Sequence, residues 1–246
     1  MAINVNIYNL IGMKKICYVL GFIFMSALSG CENEIDNLEA PNGGLHGTVY
    51  DMETNTPIPL PVEGSGGVLV SLFEIGTGAT ASIDFRANAD GSYTNNRVFN
   101  GNYRILVNGP FIGVCEGYTK VNGQTQFDLK ATPFSRIAAS ATISERNKVE
   151  LTYKVTKADE SFSLSNVSVM WNYTPRVDEN NANYVTKVAK GKASEDTHTF
   201  ELANDKQFVE NFYKIKANGN KIYVRVSATV NNIVNYSEIM ELIAND

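Results

Sequence analysis

The sequence predicts an all-β protein made of two antiparallel β-sandwich domains, and three observations carry that expectation. Apolar and polar residues alternate with period two in one segment after another. The segments are short and are closed by turns rich in Pro, Gly, Asn and Asp. Long helical periodicity is nearly absent. A chain of 246 residues, 43% hydrophobic and 19% charged, has ordinary globular composition and can fill one large or two ordinary domains.

Residues 1–30 stand apart from that pattern. Lys14 and Lys15 form a charged start, and Ile16 to Leu28 is an apolar run, shorter than the roughly 18–20 residues of a membrane-spanning helix. Met13 makes a more regular start than Met1, because residues 1–12 carry no charge. The run ends in Leu28-Ser29-Gly30-Cys31, which resembles the bacterial lipobox. The resemblance implies a lipoprotein signal peptide cleaved before Cys31, with Cys31 acylated on its sulfur. Several acyl chains make attachment effectively permanent where one is marginal. The expected partner is therefore a membrane, reached through the lipid anchor. Loss of two lysines, with no acid in residues 1–30, takes the net charge from −5 to −7. Such an acidic body does not suggest nucleic acid as a partner.

Residues 31–43 read as an acidic flexible tether, Glu32-Asn33-Glu34-Ile35-Asp36-Asn37-Leu38-Glu39 having little apolar surface to bury. Acidic residues just after the lipid cysteine resemble the surface-export signal of Bacteroidota lipoproteins; a plain solvated linker is the alternative. Cys17 leaves with the leader and Cys31 carries lipid, so Cys115 is the one thiol left in the folded part. It cannot form an intramolecular disulfide, and with no neighbouring His it reads as a buried small hydrophobe.

Strands of the first domain, residues 44–131, are expected near 45–50, 67–73, 79–85, 92–99, 102–107, 111–119 and 124–130. Asp90-Gly91 reads as a turn between two of them, and Asn122-Gly123 is the strongest short hairpin signal. Gly47-Thr48-Val49-Tyr50-Asp51, then Thr54-Asn55-Thr56-Pro57-Ile58-Pro59, then Asp90-Gly91-Ser92-Tyr93, then Gly101-Asn102-Tyr103-Arg104-Ile105 resemble carboxypeptidase-regulatory-like, or transthyretin-like, domains. That resemblance implies a scaffolding or binding sandwich. Relatives stapled by a Lys–Asn isopeptide bond need an early lysine, and no Lys or Arg lies between Cys31 and Ile83. His46 shares a face with Thr48, opposite Leu45 and Val49, and reads as a surface histidine.

Ala131-Thr132-Pro133-Phe134 marks the boundary to residues 132–246, because Pro133 lacks an N–H and suits a linker. Val149-Leu151-Tyr153-Val155, Val167-Val169-Trp171-Tyr173 and Ile222-Val224-Val226-Ala228-Val230 each alternate with polar residues, as half-buried strands do. The last two strands resemble those of fibronectin type III/immunoglobulin-like sandwiches. A short helix is expected from Asp205 to Tyr213, capped by Asn204, with Phe208 and Phe212 on one stripe.

Two aromatics are the candidate ligand-binding residues. Trp171 is the only tryptophan; its period places it inward with Val167 and Val169, and a sugar-stacking platform is the alternative. Tyr184 is the better exposed candidate, at the end of the polar loop Asp178-Glu179-Asn180-Asn181-Ala182-Asn183. That loop is oxygen-rich but lacks the spacing of an EF-hand, so it nominates no metal site. Metalloprotease, nucleophile-elbow, P-loop and dinucleotide motifs are absent, and His46 and His198 fall in different domains. No catalytic residue and no cofactor are expected.

Lipobox, acidic tether, transthyretin-like domain and second sandwich together resemble an uncharacterised family of Bacteroidota lipoproteins encoded beside SusC/SusD pairs. That resemblance implies a non-catalytic accessory of polysaccharide uptake, lipid-anchored in the outer membrane and exposed at the cell surface. Its partners would be polysaccharide and SusC/SusD-like proteins. A fimbrial or adhesive structural subunit is the rival reading, weakened because the first basic residue after Cys31 is Arg86. A carbohydrate-active enzyme stands third.

Overall fold

The structure, a computed structural model, describes residues 40–245 except 63 and 65. The expected signal peptide, Cys31 and most of the expected tether therefore lie outside the described residues. Residues 41–246 form one compact unit, 55% of the described residues are strand and 7% helix, and the fold is all-β.

The first sandwich contains β1 (Gly43–Asp51), β2 (Leu69–Ile75), β3 (Ile83–Arg86), β4 (Ser92–Val98), β5 (Gly101–Asn108), β6 (Phe111–Ile112), β7 (Cys115–Val121), β8 (Gln124–Gln126) and β9 (Leu129–Pro133). One sheet runs β4-β1-β9-β6, with β8 also on β1, and the other runs β3-β2-β5-β7. Between them lies a core of Leu45, Val49, Leu72, Tyr93, Ile105 and their neighbours, Cys115 among them. Most pairs are antiparallel, but β1 pairs in parallel with β8 and β9. The turns expected from sequence are present, with different partners. Asp90-Gly91 leads from β3 to β4, which lie in different sheets. Asn122-Gly123 leads from β7 across to β8 and makes no hairpin. Gly113, at φ 76°, splits the expected 111–119 strand into β6 and β7. Cys115 is buried, and the apolar surroundings push its thiol up to about 11.

The second sandwich contains β10 (Ser135–Ile143), β11 (Lys148–Lys157), β12 (Leu164–Asn172), β13 (Thr186–Gly191), β14 (Glu195–Glu201), β15 (Lys221–Val230), β16 (Ile233–Tyr236) and β17 (Met240–Ile243). Its sheets are β10-β11-β14 and β13-β12-β15-β16, with β17 also on β15. On β11 the alternation is as read, Val149, Leu151, Tyr153 and Val155 facing the core. β12 and β15 differ from the half-buried expectation. Met170, Tyr223, Arg225 and Ser227 are buried as well as the apolar set, because a second layer covers the other side of this sheet. The tight hairpin lies at Asn231-Asn232, where φ values of 49° and 65° give the left-handed pair that a two-residue loop requires.

One helix, α1 (Lys206–Ala217), closes the core. Its cap is Asp205, one residue beyond the expected Asn204, and Asp205 Oδ1 accepts from Gln207 N at 2.8 Å. The other oxygen accepts from Trp171 Nε1 at 3.2 Å and from Thr186 Oγ1 at 2.9 Å, which ties the helix start to β12 and β13. Pro133 is no linker residue. It ends β9 opposite Phe111, and β10 begins two residues later.

Candidate functional site

Where the second sandwich meets the first, segment 51–59 folds back on the end of β1, and the free edge of β10 and the β16–β17 break approach it. Asn55 at φ 56° allows the reversal, with Asp51 N donating to Thr56 O at 2.9 Å and Ile58 N to Val49 O at 2.9 Å. The three segments enclose a cleft of about 390 Å³. A second recess of about 460 Å³ shares Pro57, Pro59 and Glu238 with it, so the two adjoin across the proline strut and together are called the groove.

The groove wall is polar where the chain reverses. Arg136, second residue of β10, meets Asp51 with both arms of its guanidinium, at 2.5 and 2.8 Å, and reaches Glu53 at 2.9 Å. Burial pushes the Asp51 carboxyl up. The Arg136 hydrogen bond, the Glu53 N–H, the Arg136 charge and the Thr54 N–H outweigh that and hold it below the usual range. Arg136 is shifted upward, chiefly by its bond to Asp51. Beside the pair, Asn235 Oδ1 accepts from Ser135 N at 3.0 Å while its amide donates to Pro110 O at 3.0 Å. The Ser135 hydroxyl is buried in the cleft wall without a hydrogen-bond partner among the described residues. A buried hydroxyl in that state is suited to an incoming donor or acceptor.

Tyr236 lines the cleft and lies against Arg225, whose Cζ is 4.5 Å from the ring centroid. Arg225 has no exposed surface. Nε donates to Ser237 O at 2.8 Å, Nη1 to Val177 O at 2.9 Å and Nη2 to Leu60 O at 2.7 Å, with Ala89 O at 3.5 Å. Leu60 and Ala89 belong to the first sandwich, so a side chain of β15 crosses the junction. Burial pushes this guanidinium down to about 10. A further crossing runs from Val62 N to Asp178 Oδ2 at 2.9 Å.

Of the residues nominated from sequence, Trp171 is fully buried, with the Phe208 ring edge-on at 6.0 Å. It has no free face, which removes it as a ligand platform. Tyr184 is half-buried: its hydroxyl donates to Asn181 Oδ1 at 2.7 Å, and Lys187 Nζ sits 4.8 Å from its ring centroid. It does not line the groove. The polar loop before it is built into the junction, Asp178 and Asn183 being buried and hydrogen-bonded to each other at 2.9 Å. His46 lies on β1 and His198 on β14, the latter edge-on to Phe200 at 4.5 Å. Cys31 is outside the described residues. Sequence reasoning missed Asp51, Ser135, Arg136, Arg225 and Tyr236. Only Arg225 left a signal, a lone charge inside the apolar run Ile222 to Val230.

Residues 44–132 match the family model described as protein of unknown function (DUF3823), N-terminal domain. No curated protein matches the chain. Among solved structures, a DUF3823 family protein from Parabacteroides merdae is similar, at 19% identity and a TM-score of 0.68, over 83% of this chain and 100% of that one. A DUF3823 family protein from Bacteroides ovatus aligns at 21% identity and a TM-score of 0.65, over 81% and 98%. A Bacteroides uniformis protein described as a candidate carbohydrate binding protein aligns at 18% identity and a TM-score of 0.62, over 82% and 98%. Residues 44–132 are thus similar to the DUF3823 N-terminal domain, and the chain shares the fold of solved DUF3823 proteins.

Proposed function

We propose that this protein is a non-catalytic, glycan-binding lipoprotein of the outer membrane, anchored through Cys31 and exposed at the cell surface. There it serves as an accessory of a SusC/SusD-type polysaccharide uptake system. The observation that carries the glycan part is the groove at the sandwich junction. A pyranose offers hydroxyls that both donate and accept, and C–H faces that pack on apolar surface. The groove meets both needs: the Arg136–Asp51 pair, Glu238 and the unpartnered Ser135 hydroxyl supply polar partners, and Pro57 and Pro59 supply apolar faces. Its two recesses on either side of the proline strut suit consecutive units of a chain better than one compact ligand. The solved Bacteroides uniformis relative described in carbohydrate-binding terms supports the same reading. The lipid anchor rests on Leu28-Ser29-Gly30-Cys31.

The test is a panel of polysaccharides screened against residues 41–246, the compact unit that holds both cores, followed by variants on the glycan that binds. Thr56→Trp, which fills the cleft, and Glu238→Ala, which removes an acceptor shared by both recesses, are expected to weaken binding at least tenfold. Tyr184→Ala, outside the groove, is expected to bind as wild type. Undiminished binding by Thr56→Trp, or loss of binding in Tyr184→Ala alone, overturns the groove assignment.

A further inference from the structure

Strand β7 is an edge strand. It pairs with β5 along all seven residues without a register shift, and with no other strand among the described residues. Its other side therefore presents unpaired backbone N–H and C=O groups, the feature that proteins usually blunt with short strands, bulges, prolines or repelling charges. The opposite edge of the same sheet, β3, has four residues. β7 has seven, contains no proline and carries exposed apolar side chains at its border: Tyr118 is 61% exposed and Val114, one residue before the strand, 74%.

We infer that this edge is a self-pairing surface, on which a second copy of the chain adds its own β7 in antiparallel orientation centred on Tyr118. The order of the outward-facing residues suits such a pair. The β5–β7 register turns Cys115, Gly117, Thr119 and Val121 toward the core side and Glu116, Tyr118 and Lys120 outward. In an antiparallel pair centred on residue 118, positions facing each other sum to 236. Glu116 then faces Lys120 of the second copy, Lys120 faces its Glu116, and the two Tyr118 side chains meet on the axis. A lysine that would blunt pairing with an unrelated strand is thus matched twice with opposite charge, and the surface is self-complementary, as a twofold interface requires. The register holds whichever residues of β7 bond to β5, because a centre placed on a residue allows either alternation of hydrogen-bonded and non-hydrogen-bonded pairs. Glu116 also faces Arg104 at 3.5 Å, a half-exposed contact that contributes little and leaves the carboxylate available. The two four-stranded sheets become one of eight strands. Pairing through β7 does not depend on what the groove binds.

The experiment is sedimentation equilibrium on residues 41–246, with charge variants and a cross-link. Wild type is expected to form a concentration-dependent dimer. Glu116→Lys sets lysine against lysine at two places and is expected to weaken association about tenfold. The double variant Glu116→Lys/Lys120→Glu restores opposite charge at both places and is expected to return association to within about threefold of wild type. Tyr118→Cys places the two thiols at antiparallel facing positions, within disulfide reach, and is expected to give a covalent dimer on mild oxidation. Lys130→Cys, exposed on β9, is the control and is expected to stay monomeric under the same oxidation. A wild type that stays monomeric at its highest soluble concentration overturns the proposal. So does a double variant no better than Glu116→Lys, or a Tyr118→Cys that cross-links no faster than the control.

Discussion

Arg225 is expected to contribute more to stability than any other polar side chain of the junction, and Arg225→Met tests this with a side chain of similar length and no donors. In the native protein three carbonyls at 2.7–2.9 Å, those of Leu60, Val177 and Ser237, depend on its guanidinium. Hydrogen bonds to a charged group contribute about 1.5–3 kcal/mol each, which for three gives roughly 4.5–9 kcal/mol as an upper bound. Against that stands the cost of keeping the charge out of water. Its fall from 12.5 to about 10 corresponds to roughly 3 kcal/mol, which methionine relieves. The balance is a loss of about 3 kcal/mol, a large part of the roughly 5–15 kcal/mol that holds most domains. Urea unfolding of residues 41–246, followed by Trp171 fluorescence for the second core and by far-ultraviolet circular dichroism for both, measures it. Wild type should show coincident transitions. Arg225→Met should lose about 3 kcal/mol and separate the two signals, because the Leu60 contact that joins the sandwiches is gone. Arg225→Lys should lose more than half as much, since one ammonium cannot meet three divergent carbonyls. A loss below about 1 kcal/mol with coincident transitions would refute the reasoning, because the carbonyls would then be satisfied without the guanidinium.

Acid should weaken the fold through Asp51 and Glu179. Burial raises both carboxyls, but Arg136 and the Glu53 N–H at Asp51, and Lys187 and Ser227 at Glu179, bring both below their ordinary 3.8 and 4.5. Their stabilising contribution is therefore complete above those ordinary values and is lost as pH falls through the lower native ones; urea midpoints should drop there, with a shallower drop in Asp51→Asn. Cys115, buried and with its thiol pushed up to about 11, should resist alkylation in native 41–246 and react fully once unfolded, as read by mass spectrometry. For the full chain, Cys31→Ala should leave the membrane fraction or stay unprocessed; wild-type partitioning of that variant counts against the lipid anchor.

The fold was legible wherever a strand has one wet face. β11 reads true because Glu150, Thr152 and Lys154 face solvent while Val149, Leu151 and Tyr153 do not. On β12 and β15 the period-two signal misleads, because a second layer covers the outer face and buries Met170, Tyr223 and Ser227. Turn residues announced turns without announcing partners. Asn122-Gly123 has the composition of a hairpin, yet β7 before it pairs back with β5, and β8 after it pairs with β1, some 80 residues away in sequence. The groove was not legible at all. Asp51 and Arg136 are 85 residues apart; Asp51 closes the motif Gly47 to Asp51, which points to a fold and not to a site, and Arg136 sits in no motif.

Directional polar contacts cross the junction, and this bears on what the groove can do. Arg225 binds Leu60, Arg136 binds Asp51, Asp178 binds Val62 and Asn235 binds Pro110, each linking an element of one sandwich to the other. A purely apolar junction tolerates sliding, because burial has no preferred direction. Four directional contacts do not, and two of them, from Arg136 and Asn235, come from side chains of the groove wall itself. The walls are thus fixed relative to each other before any ligand arrives, and ordering them on binding costs little. It follows that Arg225→Met should weaken the proposed glycan binding as well as stability, although Arg225 does not line the groove. An affinity unchanged in that variant, measured where it remains folded, would mean that the groove is shaped by one sandwich alone.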